Sequence, residues 1–279
     1  MNGKIVGLMS LLIVVLWISG AEAADHVLLI GGIGGEDKYS KEFVDTLGTL
    51  RDLLVKRHGY SSENCRLLAD IKAADKSFSN LSTLKNIQDE FKRLKTVAKP
   101  DDTLLLVMVG HGQSDYREPK INLPGPDLDA VTLRKLLDSV PVKDQRLILA
   151  FGCSGHFSEL LANPLQTILA STDGPRQIYK PIMHKYLVEA LESEVADADM
   201  DGQLSFYELF EFISEGVEGH FKSMESLQIE NTSLEDNGDG KVTTLADGMD
   251  ADDGENARNT FITPAPGKKI GMQSNMEGR

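Results

Sequence analysis

The chain has 279 residues, 41 % of them hydrophobic, enough for one large domain or two small ones around a sizeable core. Its net charge of −14 argues against a nucleic-acid partner and against an anionic membrane surface. Much of the acid falls in residues 189–201 and 230–255, where cation binding is one use for it.

Residues 1–23 read as a signal peptide. Lys4 is the basic start, residues 5–18 are the apolar centre, and Ala21-Glu22-Ala23 fits a small-x-small cleavage site. The apolar run is short for a membrane span of about 20 residues. Cleavage after Ala23 is therefore expected, with Ala24 as the mature start and a secreted or periplasmic location. No other segment could cross a membrane, so no membrane association is expected after cleavage.

Residues 26–30 are an apolar run into Gly31-Gly32-Ile33-Gly34-Gly35, a first buried strand and a tight turn. Asp37 stands where a dinucleotide fingerprint needs its third glycine. Residues 41–57 place Phe43, Val44, Leu47, Leu50 and Leu54 near helical period. Residues 64–69 form a second strand, and Asn80-Leu81-Ser82-Thr83 opens another helix carrying Ile87, Phe91 and Leu94. Asp127 or Asp129 begins a helix through Leu136, which Pro141 ends. Residues 165–170 are a further apolar strand. Residues 181–192 form a helix with Ile182, Met183, Tyr186, Leu187 and Leu191 on one face. Strands alternating with helical patterns predict an α/β protein with an open, mainly parallel sheet and helices on both faces.

Two apolar strands carry the chemistry. Residues 104–109 close on Gly110-His111-Gly112, and residues 147–151 close on Gly152-Cys153-Ser154-Gly155. In an open parallel sheet the loops at the carboxyl ends of the strands form the ligand crevice. Two such loops bring His111 and Cys153 near each other in space.

This pair of runs resembles the caspase-like cysteine peptidases, with the legumain-like peptidases as the nearest relatives. The interval from His111 to Cys153 is near the roughly 50 residues of caspases. The GGIGG tract, Asn122-Leu123-Pro124-Gly125-Pro126-Asp127 and residues 234–241 look like a secreted, bacterial-type branch of that clan. The resemblance covers most of residues 25–248. It implies Cys153 as nucleophile, His111 as general acid–base, and the N–H groups of Cys153 and Gly112 as oxyanion donors. Asp115 and Asp173 are candidate carboxylates for a basic substrate side chain. The implied strand order sets Cys65 and Cys153 three strand spacings apart, too far for a disulfide. One departure leaves two alignments open. Active legumain-like members have Cys-x-Ser-Gly, whereas Cys153-Ser154-Gly155 is one residue shorter. With Ser154-Gly155 as the anchor, the nucleophile position falls on Gly152, and Cys153 turns away. The two alignments predict a cysteine endopeptidase acting on a peptide or protein substrate, or an inactive homologue that binds a peptide or protein partner.

Residues 197–208 satisfy the EF-hand loop. Asp197, Asp199 and Asp201 hold positions one, three and five, and Gly202 makes the turn at six. Gln203 offers its carbonyl at seven, Ser205 stands at nine and Glu208 at twelve. Hard oxygens at this spacing suit Ca²⁺, and residues 206–213 read as the helix after the loop. A single strong loop reads as structural, pinning the preceding helix to the C-terminal segment. A second, partial loop runs from Glu235 to Ala246, without an acid at position twelve, and is expected to act as a turn. The expected organisation is thus a signal peptide (1–23), a caspase-like domain (24–192), an EF-hand-bearing helical and closing segment (193–248) and a disordered tail (249–279).

Overall fold

The computed structural model describes residues 23–70, 78–115, 117–175 and 181–262. Nearly all of the expected signal peptide, and residues 263–279 of the expected tail, lie outside them. No described helix is long and apolar enough to cross a membrane.

The elements run β1 (Asp25–Gly31), α1 (Asp37–Lys56), β2 (Cys65–Ala69), β3 (Phe78–Leu81), α2 (Leu84–Val97) and β4 (Thr103–Val109). Three two-residue strands come next, β5 (Gly112–Gln113), β6 (Lys120–Ile121) and β7 (Leu128–Asp129). Then come α3 (Ala130–Asp138), β8 (Asp144–Ala150), α4 (Ser154–Leu161), β9 (Gln166–Ala170), α5 (Met183–Glu192), α6 (Phe206–Ser223), β10 (Ser233–Glu235) and α7 (Glu255–Arg258). The main sheet has seven strands in the order β10-β9-β8-β4-β1-β2-β3. All pair in parallel except β10, which runs antiparallel to β9. The strands β5, β6 and β7 form a small antiparallel sheet of their own.

Helices cover both faces, which is why the central strands read as unbroken apolar runs. On β4, Leu105, Val107 and Val109 join the core beneath α1, α5 and α6, with Phe43, Met183, Leu187 and Phe210. Leu104, Leu106 and Met108 join the core beneath α2, α3 and α4, with Phe91, Leu133 and Phe157. Each such side chain, fully buried, contributes roughly 1.5–3 kcal/mol. The register pairs Val109 with Ala150, so the glycine loops after β4 and β8 start side by side.

Local caps fix the helix starts. The Thr83 side chain accepts from Asn86 N, and the Asp129 carboxylate accepts from Thr132 N. The first of these narrows the expected helix start at 80–83 to Thr83: residues 78–81 are an edge strand, and Ser82 N still bonds to Ala69 O. The strand β10 is likewise an edge that no hydrophobic period announces. The expected disorder from residue 249 is corrected over 251–262. Ala257 and Ile262 are buried in the core, and the Asp236 carboxylate accepts from Gly254 N and Ala257 N. Cys65 and Cys153 are both buried and free; Cys65 begins β2 and Cys153 follows β8, two strands separated by β4 and β1.

The sheet's amino-terminal end is held by Asp102. This buried carboxylate accepts from Ala24 N at 2.7 Å and Lys99 N at 2.9 Å, and pairs with His26 Nε2 at 3.0 Å. Burial pushes Asp102 up, but these partners outweigh it and its pKa lies below the ordinary value. A carboxylate depressed in the folded state adds stability above about pH 4, and that stability is lost as pH falls through the folded value. Asp102→Asn should therefore cost about 1–3 kcal/mol at pH 7. The gap to wild type should close toward pH 2, as read from urea unfolding at both pH values. An equal gap at both would show that Asp102 acts by shape alone. Cleavage after Ala23 would turn the Ala24 donor into an α-ammonium and strengthen the same contact.

Candidate crevice and metal centre

The loops after β1, β4, β8 and β9 meet at the carboxyl end of the sheet. Gly32 N donates to Val109 O, and Ile33 N donates to Asn122 O. A Cβ on Gly32 would lie 2.8 Å from Asn122 O, and one on Gly112 would lie 2.0 Å from Gly152 O. Gly34 N and Ser40 Oγ both donate to Asp70 Oδ2, which ties the GGIGG turn to the end of β2. Glycine is the residue that lets these backbones approach so closely.

His111 and Cys153 stand on adjacent strand ends, as their loops require, but they leave the sheet on opposite faces. The His111 ring is half-buried and packs edge-on against Tyr39 and Phe43 of α1, with centroids 5.3 and 5.2 Å away. It therefore lies on the α1 side. Cys153 is fully buried in the other core, with Phe151 and Phe157. Its backbone is left-handed, φ 60°, immediately before α4. The thiol donates to Gln113 O at 3.2 Å. Burial pushes its pKa up to about 12. Along β8, Leu147, Leu149 and Phe151 face the α2–α4 core, whereas Ile148 and Ala150 face the α1 core.

The residues after Cys153 latch α4 to the end of β9. Ser154 Oγ bonds to Ser171 Oγ at 3.0 Å and accepts from Ser171 N, while Gly155 N donates to Thr172 Oγ1. His156 Nδ1 meets Ser114 Oγ at 3.2 Å. Of the two candidate specificity carboxylates, exposed Asp115 accepts from Arg117 N and Glu118 N of its own turn, and the Glu118 and Arg117 bonds hold its pKa below the usual range. Asp173 Oδ2 accepts from Asn231 Nδ2 at 2.8 Å.

The acidic loop is assembled. Ligand oxygens of Asp197, Asp199 and Glu208 lie within 4.8 Å of one another. Asp201 N donates to Asp197 Oδ1 and Asp199 Oδ1, Gly202 N to Asp197 Oδ2, and Gln203 N to Asp201 Oδ1. Gly202 has φ +85°, the left-handed turn that position six requires. Ser205 caps α6 in a reciprocal box with Glu208, whose other oxygen accepts from Ala198 N. The candidate donors are carboxylate, carbonyl and hydroxyl oxygens, all hard, so these residues could hold a hard divalent cation.

Two contributions to this part of the fold, one at the loop and one at the far end of α5, have no sequence signal. Residues 260–262 lie antiparallel against the loop: Phe206 N donates to Thr260 O, and Ile262 N donates to Leu204 O. Buried Glu230 accepts from Ile182 N and Met183 N at the start of α5, and burial raises its pKa to about 7.

The fold and site together define a class: an α/β protein with a mostly parallel seven-stranded sheet, compatible with a caspase-like arrangement, carrying an acidic loop fit for a metal ion. No family model matches the chain, and no curated protein matches it.

Proposed function

We propose that this is an exported, calcium-binding, caspase-like protein that holds a peptide or protein partner in the crevice at the carboxyl end of its sheet without cleaving it. One observation carries the reading. The Cys153 thiol is sequestered on the face away from His111, hydrogen-bonded to a backbone carbonyl and with its pKa at about 12. Covalent catalysis by a dyad needs the thiol within hydrogen-bond reach of its base. The peptidase reading of His111, Gly112 and Cys153 would require the β8–α4 turn to rotate the thiol to the other face.

A pooled fluorogenic peptide library, incubated with the protein and Ca²⁺, tests this. The wild type should show no hydrolysis beyond that of Cys153→Ala. Peptides recovered from the same library by binding should be retained equally by both proteins. Hydrolysis that disappears in both Cys153→Ala and His111→Ala would overturn the proposal.

Calcium is structural in this reading. The loop between α5 and α6 is bridged to residues 260–262, so an ion there would brace three segments at once. Extracellular modules bind Ca²⁺ at about 10⁻⁴–10⁻³ M, and about 10 mM Ca²⁺ should then add about 1.4–2.7 kcal/mol. The gain should be seen as a raised urea midpoint and reversed by chelator. Asp197→Ala should remove most of it, and an undiminished gain in that variant would place the effect elsewhere.

A further inference from the structure

The partial loop that begins at Glu235 is built like the first. Asp239 N donates to Asn237 Oδ1 at 2.8 Å, and Lys241 N donates to Asp239 Oδ1 at 2.7 Å. The equivalent bonds in the first loop run from Asp201 N to Asp199 and from Gln203 N to Asp201. Gly240 has φ +78°, matching Gly202 at +85°. The two ends are closed by paired bonds between Leu234 and Thr243. Such bonds shape a turn and do not by themselves call for a ligand.

Glu235 does call for one. Its side chain is completely buried, at 0 % exposure. Oε1 accepts from Gly238 N at 2.7 Å and from Gly240 N at 3.5 Å, which fixes the carboxyl inside the loop. Oε2 is buried with no hydrogen-bond partner among the described residues. A buried carboxylate oxygen left unpaired carries a large desolvation cost. The neighbouring acids are committed elsewhere. Asp253 accepts from Asp236 N and Thr243 Oγ1, and Asp236 accepts from Gly254 N and Ala257 N. Lys241 Nζ lies 3.0 Å from Asp239 Oδ2 on the exposed rim and is bonded to neither Glu235 oxygen.

We propose that residues 235–241 form a second cation site, taking a hard divalent ion of the Ca²⁺ class. Glu235 Oε2, Asn237 Oδ1, the Asp239 carboxylate and the Lys241 carbonyl supply its oxygens. Ala246 stands where a bidentate acid completes the first loop. Fewer charged ligands make this the weaker site, and entry of the ion frees Lys241 from Asp239.

The test is calorimetric titration of the processed chain, residues 24–279, with CaCl₂. Wild type should bind two ions. Glu208→Gln should keep only the weaker ion, which separates failure of the first loop from failure of this one. Glu235→Gln should keep only the tighter ion. Asp239→Asn, on the exposed rim, guards against a folding defect at buried Glu235 and should weaken the second ion at least tenfold. A single ion in wild type, or a second ion that survives both Glu235→Gln and Asp239→Asn, overturns the proposal; Glu235 would then be a buried neutral acid.

Discussion

Iodoacetamide should modify Cys153 about a hundredfold more slowly at pH 7 than a free cysteine, and His111→Ala should leave that rate unchanged. Only the thiolate reacts, and the free-thiol pKa is about 8.5. Raising it to about 12 cuts the thiolate fraction by more than three powers of ten. The greater nucleophilicity of a more basic sulfur returns a little under half of that logarithm, leaving about a hundredfold. Burial of the sulfur among Phe151 and Phe157 slows access further. The imidazole of His111 packs against Tyr39 and Phe43 on the opposite face, so its removal should not touch the thiol. Peptide mapping by mass spectrometry reads Cys153 separately from Cys65, whose pKa burial also raises to about 12. Rapid labelling of Cys153 at pH 6 that His111→Ala slows would restore the dyad and with it the peptidase.

The difference between these outcomes turns on one residue of register, and the sequence states the ambiguity without resolving it. Strands β4 and β8 are legible because both faces are covered, so every position is apolar and the glycines after them stand out. That same uniformity hides which face each side chain takes, and no alternation is available to assign Cys153. The face is decided by contacts that are remote in sequence. Ser154 and Gly155 bond to Ser171 and Thr172, and a Cβ on Gly155 would lie 2.3 Å from Thr172 O. Together with the left-handed turn at Cys153, these fix the start of α4 and leave the thiol on the Phe157 side.

The acidic loop was legible for the opposite reason. Its candidate ligands fall within twelve consecutive residues, so local spacing alone specifies which oxygens converge. The segment at 260–262 that braces it was not. It contributes backbone bonds and, with α7 just before it, two buried apolar side chains, Ala257 and Ile262, from a mostly polar stretch. The strands β3 and β10 leave no sequence signal, because an edge strand of three or four residues is too short to show a period.

Gly112→Ala should destabilise the protein by about 3 kcal/mol, the upper end of what overpacking usually costs. The added Cβ would lie 2.0 Å from the Gly152 carbonyl oxygen, 2.8 Å from Phe151 Cδ2 and 3.0 Å from the Gly152 carbonyl carbon. Two of these three atoms are backbone at the end of a central strand, where no rotamer change can relieve the clash. The third belongs to a fully buried ring packed edge-on against Phe157 at 4.9 Å. Relief must come from separating the β4 and β8 loops, which would also pull Gly152 away from the crevice. Gly48 supplies the control. It lies inside α1, a Cβ added there would have no neighbour within 4 Å, and its φ is negative. Gly48→Ala should therefore stabilise by about 0.5–1 kcal/mol. Urea unfolding of the two variants should move the midpoint in opposite directions. If Gly112→Ala instead unfolds within about 1 kcal/mol of wild type, below the usual cost of overpacking, the two loops do not touch as described. The room between them would then be enough for the β8–α4 turn to move, and the thiol could reach the face on which His111 stands.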